Sequence, residues 1–142
     1  MEDYLVILNQ SLAGLPSFIV FAVAALVLVA LFVAIYTLIT PHRELTLVRQ
    51  GNTAAAVSFG GAVLGFVIPL AQAISQSLNL LDMAIWALIA LIVQLIVFGI
   101  IALLLGGVAK KIEAGDIAAA TFLAFMAVAG GFLNAACMTY TD

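Results

Sequence analysis

The chain has 142 residues, of which 67% are hydrophobic and 8% charged, four basic against seven acidic, with a mean hydropathy of +1.35. A soluble domain carries roughly a quarter of its residues as charge to cover its surface, so these few cannot coat a globule in water, and lipid must be the solvent for most of it. The net charge of −3 rests on too few groups to imply nucleic acid, and a single cysteine, Cys137, excludes an internal disulfide, a CxxC redox pair and a cysteine cage for a metal.

A helix needs about 20 apolar residues to cross the hydrocarbon core, and four segments qualify. Residues 1–14 precede them and open with Glu2 and Asp3. Tyr4, Leu5, Leu8 and Leu12 share one helical face there, which predicts a short interfacial helix on the outer face. The first span covers about residues 15–39. It is too long for a signal-peptide core and no basic region precedes it, so it is expected to stay in the mature protein. Pro16 suits its first turn. Thr40-Pro41 ends it, because proline disfavours helical geometry in the residue before it. From Phe18 to Ile35 this span holds only Val, Leu, Ile, Ala and Phe, which marks it as the lipid-facing wall.

The second span, about residues 53–73, follows a charged stretch with His42, Arg43, Glu44 and Arg49. Asn52 is placed as its N-cap. Ala54, Ser58, Gly61, Gly65, Pro69 and Gln72 recur every three or four residues, a stripe of small or polar side chains. Gly61 and Gly65 form a GxxxG pair suited to close helix packing. Pro69 has no N–H for the carbonyl of Gly65, so a helix kink is expected. The third span, about 83–105, follows Asp82 and carries Gln94 near mid-bilayer. Lys110 and Lys111 come next. The fourth, about 117–138, has Asp116 as N-cap and a stripe of Ala120, Ala124, Ala127, Gly131 and Asn134.

Gly51-Asn52-Thr53-Ala54-Ala55-Ala56 and Gly115-Asp116-Ile117-Ala118-Ala119-Ala120 stand 64 residues apart, each after a charged stretch. Two helices separate the copies, so they share one membrane orientation. The fold class is therefore all-α: residues 15–142 form a transmembrane four-helix bundle of two tandem two-helix repeats in parallel orientation. All four Lys and Arg residues fall in the first and third loops, and none lies near the N-terminus, Asp82 or Asp142. The positive-inside rule puts those two loops in the cytoplasm and both termini outside.

The candidate intramembrane polar site comprises Gln94, Asn134 and Gln72. Burying an amide without partners is costly, so Gln94 faces the bundle, either as interhelical glue or on a path for water or a ligand. Asn134 and the kink at Pro69 share a depth with Gln72, where a small polar pocket could form. Gly131 joins Gly61 and Gly65 as a packing residue. His42 reads as a solvated interfacial side chain. Cys137 reads as a small packing residue, since no basic neighbour in sequence marks it as a reactive thiol. No carboxylate lies inside a span, and no Ser/His or His/Glu set accompanies the spans, so no catalytic residue, metal or cofactor is expected.

Thr40-Pro41-His42, Glu44, Gly51 to Ala56, Gly65-Phe66-Val67-Ile68-Pro69-Leu70, Gln94-Leu95 and Asn134-Ala135-Ala136-Cys137-Met138-Thr139 resemble the YjfL family. Those are small bacterial inner-membrane proteins classed as a domain of unknown function. The resemblance runs from about Thr40 to Thr139. It implies a four-helix inner-membrane protein with partners in an envelope-stress or polyamine-linked system. The expectation is a non-enzymatic subunit or scaffold for envelope maintenance, assembled as a homo-oligomer. A small channel or transporter formed by an oligomer is the alternative.

Overall fold

The computed structural model describes residues 1–41 and 43–138; His42 and residues 139–142 lie outside them. The described residues form helices only: α1 (Glu2–Ala13), α2 (Leu15–Ile39), α3 (Glu44–Arg49), α4 (Thr53–Gln76), α5 (Leu80–Leu105), α6 (Val108–Glu113) and α7 (Ile117–Cys137). Long apolar runs leave the backbone one way to satisfy itself in lipid, as helix. Four stretches are long and apolar enough to cross: Glu2–Ile39, which takes in α1 and α2, and then α4, α5 and α7.

Cap chemistry sets the ends. α4 runs three residues past the expected 73, to where the Ser77 hydroxyl donates to the Ala73 carbonyl. α5 starts three residues before 83, because Asn79 accepts from the Asp82 backbone N–H at 3.0 Å and caps the helix there. α1 is helical but has no buried residue, and it meets α2 across Gly14.

The turns that lead into α4 and α7 repeat each other. Just past α3, Gly51 takes φ 84°; its N–H reaches the Val48 carbonyl and that of Asn52 the Leu47 carbonyl. Just past α6, Gly115 takes φ 81°, and its N–H reaches the Ile112 carbonyl while that of Asp116 reaches the Lys111 carbonyl. This crossed pair of bonds is a Schellman stop, which needs a left-handed residue and therefore glycine. The next residue then starts a helix: Asn52 accepts from the Ala55 N–H and Asp116 from the Ala119 N–H, both at 3.0 Å. Asn52 also links the copies, its amide donating to the Ile112 carbonyl of α6 at 2.9 Å.

α4 and α7 run parallel as the tightest helix pair, Gly61 against Ala124 and Gly65 against Ala127 and Gly131. α5 packs against both, and α2 lies on α4 and α5. One apolar cluster joins α2, α4 and α5 through Phe32, Tyr36, Phe66, Leu70, Met83 and Leu91. A second holds Ala54, Ala55, Ile101, Ile112, Ala120 and Leu123 at the end carrying α3 and α6. Most of α2 faces outward, with only Phe32 and Tyr36 buried, so its last third belongs to the core rather than to the wall. Phe32 stacks on Phe66 with ring centroids 4.7 Å apart.

Candidate functional site

Three spanning helices meet at Gly65. A Cβ built there would overlap the Gln94 side-chain nitrogen and lie 2.5 Å from the Ala127 carbonyl oxygen. Glycine is thus the one residue that lets the Gln94 amide cross between α4 and α7. From that position Gln94 donates to the Ala127 carbonyl at 2.9 Å. Asn134 on α7 returns the contact, donating to the Ala90 carbonyl of α5 at 3.4 Å. Each helix of the antiparallel α5–α7 pair therefore sends one amide into the backbone of the other, the two bonds about one turn apart on α5 and about two on α7.

Pro69 sits inside α4, which stays helical on both sides of it, and leaves the Gly65 carbonyl without its usual N–H donor. That carbonyl faces Gly131: a Cβ on Gly131 would overlap the Gly65 oxygen. With hydrogen in its place, the Gly131 Cα–H meets the freed carbonyl, a weak hydrogen bond that recurs at close helix contacts. Gln94 is 2% exposed, and its side-chain oxygen has no hydrogen-bond partner.

Gln72, grouped with Gln94 and Asn134 in the sequence, is half-buried, and no hydrogen bond joins its side chain to either among the described residues. Two apolar cavities lie away from these amides. One of about 500 Å³ opens between α2 and α4 along Ala25, Leu26, Leu70 and Ala71, and one of about 240 Å³ between α5 and α7 along Val97, Ile101 and Gly130. Neither is lined by Pro69, Gln94 or Asn134. Cys137, read as a packing residue, is exposed at the end of α7.

A second polar cluster escaped the sequence reading. Glu44, placed in a charged loop, is 1% exposed, and the Tyr36 hydroxyl donates to its Oε1 at 3.1 Å. Phe98 meets the Tyr36 ring edge-on with centroids 5.0 Å apart. A carboxylate buried at the boundary of the membrane-spanning region is the sort of group that marks functional sites. Among the described residues no group of three or more His, Cys, Asp or Glu side chains is placed to hold a metal ion.

Residues 10–138 match the family described as Domain of Unknown Function (DUF350). The chain belongs to the DUF350 family. It is 40% identical over 129 residues to the UPF0719 inner membrane protein YjfL of Escherichia coli K12, covering 91% of this chain and 98% of that protein. It is 34% identical over 76 residues to the UPF0719 transmembrane protein YshE of Bacillus subtilis, covering 54% of this chain and 56% of that one. No solved structure matches. Membership of DUF350, together with four apolar spans, makes this a multi-pass membrane protein of a family without an established activity.

Proposed function

We propose that the chain is a non-enzymatic, self-assembling subunit of the inner membrane, with the basic end in the cytoplasm and both termini outside. The observation that carries this reading is the seam at Gly65, where glycines, one proline and two amides spend their chemistry on joining α4, α5 and α7. Side chains committed to backbone carbonyls of neighbouring helices serve packing. The exposed faces of α2 and α7, rich in Val, Leu, Ile and Phe, suit lipid or a second copy equally. Cyclic dimers are the commonest symmetric assembly, so mass measurement of the full chain in native-like lipid is expected to give a dimer or a larger ring. A monomer there would end the self-assembly reading. A scaffold for envelope maintenance is the role that the family resemblance suggests. Co-purification in mild detergent, scored for partner proteins of an envelope-stress or polyamine-linked system, tests it.

A second reading, a small channel or transporter, has one observation in its favour: the unpartnered side-chain oxygen of Gln94 deep in the bundle. A water path past Gln94 and Asn134 would give it a partner. Ion flux through reconstituted vesicles that Gln94→Leu abolishes would establish that reading, and no flux would remove it.

The orientation has its own test. With Cys137 changed to Ser, single cysteines at Asn9 and Leu78 are expected to react with an impermeant thiol reagent in intact cells, and one at Gln50 is not. Leu78 is 90% exposed, so silence there would not come from burial. The reverse labelling pattern would overturn the assignment.

A further inference from the structure

The end of the bundle carrying α3 and α6 has two adjoining cavities, one with charged side chains in its lining and one without. One, about 430 Å³, is lined by Pro41, Arg43, Thr46, Leu47 and Glu113. The other, about 310 Å³, is lined by Pro41 and by apolar surface of Ile39, Phe98, Ala102 and Val108. Pro41 is common to both. The apolar cavity reaches into the spans, since Phe98 and Ala102 belong to α5 and Ile39 closes α2. The polar one sits beside the short helices outside the spans. Such a pair has the layout of an amphiphile: a head compartment at the membrane boundary and a chain compartment at hydrocarbon depth.

The head compartment holds one cation and one anion from different elements, Arg43 before α3 and Glu113 at the end of α6, and no ion pair joins them among the described residues. Arg43 stands at the residue before α3 and is exposed there. Glu113 is held in place by its backbone, whose carbonyl accepts from the Asn52 amide at 3.3 Å. An anionic head group would meet Arg43 well and Glu113 badly. A head group with a phosphate and an ammonium satisfies both, with the phosphate on Arg43 and the Thr46 hydroxyl and the N–H groups on the Glu113 carboxylate.

We infer that these paired cavities bind one membrane phospholipid with a phosphate–primary ammonium head group, one of its two acyl chains entering the apolar cavity between α2, α5 and α6. The assignment depends on the membrane location of the chain and not on self-assembly, on orientation or on a scaffold role. A free head-group compound of the same chemistry would fill the polar cavity and leave the apolar one unused, so the lipid is the better occupant.

Native mass spectrometry of the full-length protein, titrated in detergent with defined phospholipids, tests this directly. Phosphatidylethanolamine is expected to be retained at one molecule per chain and about fivefold more strongly than phosphatidylglycerol, near the upper end of what a partly exposed ion pair supplies. Phosphatidylcholine, whose quaternary nitrogen has no N–H for Glu113, is expected to fall with phosphatidylglycerol. Glu113→Gln should bring phosphatidylethanolamine and phosphatidylglycerol to parity, while Arg43→Gln should weaken every phospholipid alike. Both residues are exposed at the bundle end, so the variants are expected to fold. Ala102→Leu, which fills the chain compartment, should displace lipid with both charges intact. Equal retention of the two lipids by the unaltered protein, or a preference unchanged by Glu113→Gln, would overturn the site. Displacement of phosphatidylethanolamine by soluble phosphoethanolamine at equal concentration would overturn the lipid as its occupant.

Discussion

Gly65→Ala is expected to destabilise the folded bundle by about 3 kcal/mol, the top of the usual range for overpacking a dense interior. One methyl group there has nowhere to go. It would overlap the Gln94 amide and press on the Ala127 carbonyl, so either the α5–α7 hydrogen bond breaks or two backbones separate. Gly61→Ala meets only the Ala124 backbone and Cβ, with no hydrogen bond at stake, and about 2 kcal/mol is expected. The neighbouring Gly60 and the distant Gly99 are the controls, because nothing lies within 4 Å of a Cβ built on either. Alanine is the better helix former by about 1 kcal/mol, so Gly60→Ala and Gly99→Ala should lose nothing. Denaturant unfolding in micelles, followed by the single tryptophan Trp86, would rank the four. Equal midpoints for Gly60→Ala and Gly65→Ala would remove the close contact from the account.

The contrast between adjacent glycines shows what the sequence could carry. Gly61 and Gly65 share a helical stripe with Ser58 and Pro69, and lipid leaves backbone approach as the main reason for such a stripe. The spans were legible because long apolar runs have one structural solution in a bilayer, and the caps Asn52 and Asp116 because they act within three residues of themselves. Gln94 was legible as an amide needing a partner, but not its partner, since every residue offers a backbone carbonyl and the Ala127 carbonyl is chosen by the crossing geometry. The same geometry turns Gln94 and Asn134 toward backbone carbonyls and joins neither to Gln72, although Asn134 and Gln72 share an expected depth. Cys137 falls outside the buried series Ala127, Gly131, Asn134 and Met138, and a spacing read to the end of the helix shows this. Glu44 was misread because a carboxylate just past a helix-ending proline resembles a solvated loop. The available signal was Tyr36, a phenol at the end of an aliphatic span, whose hydroxyl needs an acceptor when buried.

Tyr36→Phe is expected to cost about 1.5–3 kcal/mol, the range for removing a hydrogen bond to a charged group. The ring stays, so its stacking with Phe32 and its edge contact with Phe98 are kept, and the loss isolates the hydroxyl. Glu44→Leu removes the acceptor instead and leaves the hydroxyl of a side chain 1% exposed with no carboxylate to meet, at a cost of about 1–3 kcal/mol. Glu44→Gln keeps an acceptor oxygen for Tyr36 and should be the mildest of the single changes. The double variant Tyr36→Phe with Glu44→Leu places apolar groups on both sides of the contact, an exchange that can be nearly neutral in a buried site. Its stability should therefore exceed the sum of the single losses by about 1–2 kcal/mol, within the range for residues in direct contact. The cycle is measured by the same denaturant unfolding. A buried hydrogen bond predicts that non-additivity; strict additivity would mean that Tyr36 and Glu44 are buried side by side without depending on each other. A functional role for the pair separates from its structural one if Glu44→Gln folds as stably as the unaltered chain. Any phenotype that Gln shares with Leu at position 44 then belongs to the lost charge, because only Leu disturbs the fold.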